Sequence, residues 1–169
     1  ILAGYAPYLQ VLEASRNGAS PEAQLAELFA AFDRFRVLCA LRETPRGVRA
    51  INALIERRVR QGGILDLPET GGVWYVGRPV MVTRNDHAQK LYNGDIGICL
   101  SDERGVPMVY FPVPVGGFRA ILPVRLPEHE SAFALTVHKA QGSEFEQVLL
   151  LLPAEPNRVM TRELLYTGI

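Results

Sequence analysis

The chain has 169 residues, 48% of them hydrophobic, and its 18 basic and 18 acidic side chains balance to zero net charge. That is long enough for one domain or two small ones, and the balance excludes a generic polyanion binder while leaving room for a local basic face. No apolar run nears the roughly 20 residues of a membrane span, because Pro153 stops Val148–Leu152, and no signal peptide is visible.

A cytoplasmic protein without membrane contact is therefore expected. Cys39 and Cys99 lie in apolar runs without metal-ligand spacing and read as buried free thiols in a reducing compartment. The sequence begins at Ile1 without a methionine and stops at Ile169 inside a helical pattern, so it is read as a piece of something longer.

Ser20-Pro21-Glu22 predicts a helix start, with a hydroxyl cap, proline in the first turn and an acid at the positive helix end. Leu25, Leu28, Phe29, Phe32 and Phe35 follow at helical spacing. Val37–Leu41 is a short continuous apolar run of the kind found in buried parallel strands. Thr44-Pro45 opens a second expected helix, with Val48, Ile51, Ile55 and Val59 inward and Gly62-Gly63 at its end. Helix, strand, helix points to an α/β layer.

From about residue 64 the character changes. Pro68, Gly71, Gly72 and Gly77 punctuate a linker. Short β-type runs follow at Pro79–Thr83, Ile96–Leu100, Met108–Phe111 and Phe118–Leu122, with turn signals at Asn93-Gly94 and Gly116-Gly117. Such closely spaced strands suggest a small barrel or curled sheet. Asp102-Glu103-Arg104-Gly105 imitates the acidic pair of a Walker B strand but reads better as a hairpin turn. After Pro127 the α/β character returns, with a strand near Phe133–Thr136, a short helix, a strand at Val148–Leu152 and a helix from Thr161. The expected architecture is a β module at residues 76–128 inserted into an α/β domain formed by residues 1–75 and 129–169.

Between the last two strands lies Thr-Val-His-Lys-Ala-Gln-Gly-Ser-Glu-Phe, residues 136–145, crowded with polar groups. In open α/β sheets, loops beyond the carboxyl ends of strands hold ligands. Hydroxyl, imidazole and ammonium donors suit phosphates, Gly142 permits close backbone approach, and Glu144 can accept from a sugar hydroxyl. A phosphate-bearing ligand and a merely solvated loop are the two readings of these residues.

This segment resembles motif V of superfamily-one DNA and RNA helicases, and Arg36–Glu43 resembles their motif IV. The stretches Gly77–Met81, Arg84–Asp86, Asn93–Gly97 and Arg125–Glu130 are similar to the RecD family, the alpha subunits of exodeoxyribonuclease V, and Arg162–Thr167 resembles the approach to motif VI. The resemblance covers most of residues 30–169. It implies a RecA-like parallel-sheet domain, the second of two motor domains, carrying an inserted SH3-like β-barrel. It also implies a 5′-to-3′ motor on single-stranded DNA, working beside RecB and RecC in double-strand-break repair, with ATP and Mg2+ bound mainly by another domain. A relative working without RecB and RecC is the nearest rival within the family. A DNA- or protein-binding module without catalysis is the rival outside it.

By the same resemblance, Arg42 would reach the γ-phosphate of ATP, a task that suits an arginine because its planar fork stays charged. Otherwise Arg42 is a surface arginine beginning a loop. Thr136 and His138, with Lys139, would contact the DNA backbone, while Gln141, Gly142 and Glu144 would face the nucleotide; Gln141 stands where many relatives carry lysine. Asn85 and Asn93, near His87, Lys90 and Tyr92, form a basic and aromatic cluster suited to a single strand, or simply a hairpin turn. Arg46, Arg49, Arg57, Arg58 and Arg60 read as a solvated helix face rather than a basic stripe. His129 reads as structural.

No metal site is expected, since the three histidines pair with no Cys or carboxylate at metal spacing. The phosphate-cradling G-x-x-x-x-G-K-[ST] loop is absent, so the polypeptide alone is expected to hydrolyse no ATP, and nuclease chemistry is assigned by resemblance to RecB.

Overall fold

The computed structural model describes residues 1–15, 21–61 and 73–154. The expected Ser20 cap, the Gly62-Gly63 stop, most of the linker, the helix from Thr161 and the motif VI-like stretch lie outside the described residues.

Helix α1 (Ala6–Ser15) packs against α2 (Pro21–Asp33), which leads into strand β1 (Phe35–Cys39). Helix α3 (Val48–Gln61) follows. Next come β2 (Arg78–Val82), β3 (Ile96–Ser101), β4 (Pro107–Pro112) and β5 (Phe118–Ile121). The chain ends its described course with β6 (His129–Ser131), β7 (Ala134–Thr136), a 3-10 turn (Val137–Ala140) and β8 (Gln147–Leu151). Among the described residues, no helix is long and apolar enough to cross a membrane.

Two sheets result. A parallel sheet has the order β7-β1-β8, so β1 is central, and all five of its residues are buried, Arg36 among four apolar neighbours, as a central parallel strand requires. An antiparallel sheet has the order β5-β4-β3-β2-β6. The four β-type runs predicted from the sequence are β2 to β5, with ends shifted by a residue or two. Asp102 closes the β3–β4 hairpin as a turn residue: its carboxylate accepts from the backbone N–H of Arg104 (2.9 Å) and Val106 (2.8 Å), and Gly105 takes φ +76°.

The expected closed barrel does not form among the described residues; the antiparallel sheet is open, with β5 and β6 at its edges. Between those edges the chain runs through a 3-10 turn (Pro123–Arg125) and Pro127. Prolines offer no N–H to a ladder, so this segment cannot stitch the edges together. Strand β6 pairs with β2, Val80 opposite Ser131 and Val82 opposite His129, three residues past the module boundary expected from sequence.

The main core joins both sheets. Tyr5, Tyr8, Leu12, Leu28, Phe32, Val37, Ile55, Ile98 and Phe133 all belong to it. Alternation along the antiparallel strands sends Val80, Cys99, Val109, Phe111 and Ile121 into a second cluster on the other side of that sheet. Cys39 and Cys99 are buried free thiols. Helix α1 has no sequence signal strong enough to be expected from its caps, yet it is central: the Tyr8 hydroxyl donates to the Gly77 carbonyl at 2.9 Å, and the hydroxyl of Tyr5, just before the helix, donates to the Phe133 carbonyl.

Candidate nucleotide and nucleic-acid site

The parallel register decides which groups can meet. Cys39, the last residue of β1, stands opposite Thr136 on one side and Leu151 on the other. The chain leaving β1 into Leu41-Arg42-Glu43 and the chain leaving β7 into Val137-His138-Lys139 therefore emerge from the same carboxyl edge of one sheet. This is the edge where α/β sheets bind ligands, since two diverging exits open a crevice there.

Arg42 is held by a tight turn. The Gly47 N–H donates to the Thr44 carbonyl at 2.8 Å, and the Arg49 N–H donates back to the Arg42 carbonyl at 3.3 Å. A Cβ on Gly47 would stand 2.6 Å from that carbonyl oxygen, so only glycine lets the start of α3 close on Arg42. The helix begins at Val48, three residues beyond the expected Thr44-Pro45 start, because Thr44–Gly47 forms this turn instead. The Arg42 side chain, 42% exposed, spreads both terminal nitrogens onto the Glu130 carboxylate, Nη1 donating to Oε1 at 3.3 Å and Nη2 to Oε2. Glu43 lies 3.5 Å from its Nε and also pairs with Arg49 at 3.1 Å. Arg46, Arg49, Arg57 and Arg58 are exposed on or before α3.

On the β7 side, the Thr136 hydroxyl oxygen accepts from the Lys139 N–H at 3.2 Å and caps the 3-10 turn, which leaves its own O–H free to donate. His138 is exposed. The Lys139 ammonium donates to the Asn93 side-chain carbonyl, and the Asn93 N–H donates to the Asn85 side-chain carbonyl at 2.8 Å. Three residues picked from distant parts of the sequence, Asn85, Asn93 and Lys139, thus form one connected chain from the β2–β3 loop to the β7 exit. The loop itself turns at Tyr92–Asp95, with Gly94 at φ +103°. Tyr92 is 47% exposed and its ring meets His87 edge-on at 5.9 Å.

Beyond Ala140 the chain crosses β1 to reach β8. Gly142 takes φ +83° with open space around its missing Cβ, so glycine is required there for backbone conformation. Gln141, Gly142 and Glu144 are all exposed. Glu144 is three residues before Gln147, whose register partner is Phe35 at the far end of β1. The structure brings Thr136, His138 and Lys139 to the Arg42 edge and leads Glu144 away from it. Phe145 anchors the descent: the buried Arg36 guanidinium lies between its ring (5.0 Å) and that of Phe32 (3.9 Å). Glu146 then pairs with Arg34 at 2.9 Å.

Two contributors have no role in the sequence reading. Asn52 is buried on α3, its amide donating to the carbonyls of Ser131 (2.8 Å) and Ala134 (3.0 Å) and accepting from the Ala134 N–H (2.8 Å). It straps the segment between β6 and β7 to the helix. Its sequence signal is a polar residue one turn after Val48 on the inward face. Glu130 is the other, and only the fold brings it 88 residues back to Arg42. A shallow pocket of about 420 Å³ opens beside this pair, lined also by Arg49, Asn52 and Thr83. His129 has structural contacts, its Nδ1 2.8 Å from the Pro127 carbonyl and its ring 5.2 Å from Trp74. Among the described residues, no group of three or more His, Cys, Asp or Glu side chains could hold a metal ion.

The UvrD-like helicase C-terminal domain family matches residues 131–169, which include β7 and the Thr136–Phe145 stretch. The RecBCD enzyme subunit RecD of Haemophilus influenzae is 43% identical over 138 residues, 82% of this chain and 20% of that protein. An ATP-dependent RecD2 DNA helicase of Deinococcus radiodurans is 30% identical over 135 residues, 79% of this chain and 18% of that protein. Among solved structures, a Pif1 helicase from Bacteroides in complex with ADP-AlF3 and ssDNA aligns over 96% of this chain and 46% of its own, with a TM-score of 0.48 and 18% identity. The chain spans about a fifth of the length of these RecD relatives. By sequence it belongs to the RecD family of helicase proteins.

Proposed function

We propose that this chain forms the second RecA-like motor lobe of an ATP-dependent 5′-to-3′ DNA helicase, the RecD subunit acting with RecB and RecC in the cytoplasm as exodeoxyribonuclease V. Residues 1–75 and 129–169 build the lobe, and residues 76–128 form a β module inserted in it, whose sheet also takes in β6 at the junction. The observation that supports this reading is the shared carboxyl edge: Arg42 leaves β1 and Thr136–Lys139 leave β7 side by side. Fuel and track can then be sensed by adjacent loops of one sheet.

Arg42 serves as the arginine that reaches the γ-phosphate of ATP and Mg2+ held mainly by the partner lobe. The fit rests on its fork, which already grips two oxygens of a planar anion, the Glu130 carboxylate. ATP supplies the phosphoryl bond broken in each cycle; this chain's part is to place a delocalised cation against the charge that develops. Thr136 offers its free O–H, and His138 and Lys139 their N–H groups, to phosphates of single-stranded DNA, with Asn85 and Asn93 extending that surface. Gln141 and Gly142, just past the Val137–Ala140 turn, face the nucleotide in the assembled two-lobe site, while Glu144, led toward the opposite end of β1, takes no part in it. The chain alone hydrolyses no ATP, because it carries no phosphate-cradling loop.

The test is Arg42→Ala in the full-length protein. DNA-stimulated ATPase falls by about 10³-fold while single-stranded DNA binding holds. His138→Ala gives the reverse split, weakening DNA binding by about fivefold, with hydrolysis recovered at saturating DNA. Undiminished ATPase in Arg42→Ala sinks the motor reading. A second reading, a helicase working without RecB and RecC, is favoured by the 30% identity to the Deinococcus radiodurans RecD2 helicase. Co-purification of the full-length protein with RecB and RecC separates the two.

A further inference from the structure

We infer that Glu130 is a positioning residue for Arg42, holding its guanidinium out of reach of nucleotide until DNA occupies the β2–β3 loop; this rests on the role proposed above for Arg42. A carboxylate and a phosphoryl group offer the fork the same thing, two oxygens at matching separation, so Arg42 cannot grip both at once. With Nη1 and Nη2 on Glu130 and Nε facing Glu43, each side of the guanidinium meets a carboxylate. An incoming triphosphate meets that negative charge before it meets the arginine.

Both partners stand on backbone that is braced against independent local movement. Glu130 lies in β6, opposite Met81, and its side chain is only 18% exposed. The next residue is tied to α3 twice, the Ser131 carbonyl by Asn52 and the Ser131 hydroxyl by Glu56. Arg42 sits on the Gly47 turn. Release must therefore come from side-chain rotation or from a shift of β6 as a strand.

Such a shift has a source. Strand β6 pairs with β2, and β2 runs directly into the loop that carries Asn85 and Asn93. The residue joining β2 to that loop, Thr83, donates its N–H to the Glu128 carbonyl at 2.8 Å, and Arg84 pairs with the Glu128 carboxylate at 3.2 Å. DNA drawing on that loop pulls on the strand two residues ahead of Glu130. The pair so couples the track to the fuel site through two discrete arrangements, Arg42 on Glu130 or Arg42 on phosphate.

The experiment uses the full-length protein with Glu130→Gln, which keeps the shape and removes the charge, and Glu130→Ala, which removes the acceptor. ATPase is measured with and without saturating single-stranded DNA, beside Arg42→Ala. Both Glu130 variants are expected to raise DNA-independent hydrolysis about five- to tenfold with the DNA-saturated rate changed less than twofold, so the stimulation ratio collapses. If Arg42→Ala abolishes hydrolysis while the ratio in both Glu130 variants stays within twofold of wild type, or if both their rates fall together, Glu130 is only a strut and the inference is overturned with the motor reading intact. If Arg42→Ala itself leaves hydrolysis unchanged, the reading of Arg42 fails and takes this inference with it.

Discussion

Asn52 occupies a position on α3 where packing alone would favour another Ile or Val. Its neighbours Val48, Ile51 and Ile55 are apolar and buried, and its own side chain spends all three hydrogen bonds on backbone between β6 and β7. Asn52→Ala leaves the Ala134 N–H and two carbonyls without that partner, costing about 2–4 kcal/mol in a urea titration. Arg36 is a second buried polar residue with a different logic. Desolvation pushes its guanidinium below the ordinary arginine value. Two rings and the Ala132 carbonyl (3.0 Å) hold Arg36 in place, while Asp33 reaches solvent. A cation on β1, next to Val37, carries no outward mark in the sequence. Its burial comes from Phe32 one turn earlier and Phe145 more than a hundred residues later.

At the scale of elements, the strands were the most legible part, because alternation, bounding glycines and turn dipeptides are local signals. Gly94, Gly105 and Gly116 all adopt positive φ at the hairpin ends where such residues are expected. The start of α3 was less legible. Thr44-Pro45 resembles a cap followed by a first-turn proline, and what distinguishes the actual turn is the contact of Gly47 with Arg42, which no spacing rule contains. Gly47→Ala is expected to cost about 1–3 kcal/mol by forcing Cβ against that carbonyl, and to speed amide exchange at Arg49, whose bond depends on it. Gly142→Ala makes a useful contrast. Nothing lies near its Cβ, so only the left-handed backbone resists, at about 1–2 kcal/mol, and exchange at Arg49 stays unchanged. The site itself was half legible: Arg42 and the Thr136 stretch came from motif resemblance, whereas Glu130 and the Asn85–Asn93–Lys139 chain required knowing which loops the two sheets set side by side.

For the whole molecule, the shared core and the open antiparallel sheet carry the same message, that the β module is not a separate bead on the chain. Ile98 from β3 and Phe133 between the sheets pack with α1, α2 and α3. The buried thiols report on both clusters, Cys39 on the shared core and Cys99 on the one across the antiparallel sheet. Burial raises Cys39 from 9.0 to about 11 and Cys99 to about 12, so the folded chain keeps both protons where the unfolded chain loses them. Stability is then intact below pH 9 and declines as pH rises from there toward 12, a slope opposite to that of a salt-bridged carboxylate. Urea midpoints at pH 8 and pH 10 should fall in that order, and a Cys39→Ala, Cys99→Ala double variant should flatten the slope even though its absolute stability is lower. The tyrosines add to the decline only above their ordinary value of 10.0, since Tyr5 is raised to about 12 by burial. Helix α1 has one further consequence. Its Tyr8 phenol and that of Tyr5, the residue just before it, clasp Gly77 and Phe133, the take-off and landing points of the inserted strands. Anyone transplanting those strands into a foreign scaffold would have to carry this first helix along, or find that the graft arrives without its hinge pins.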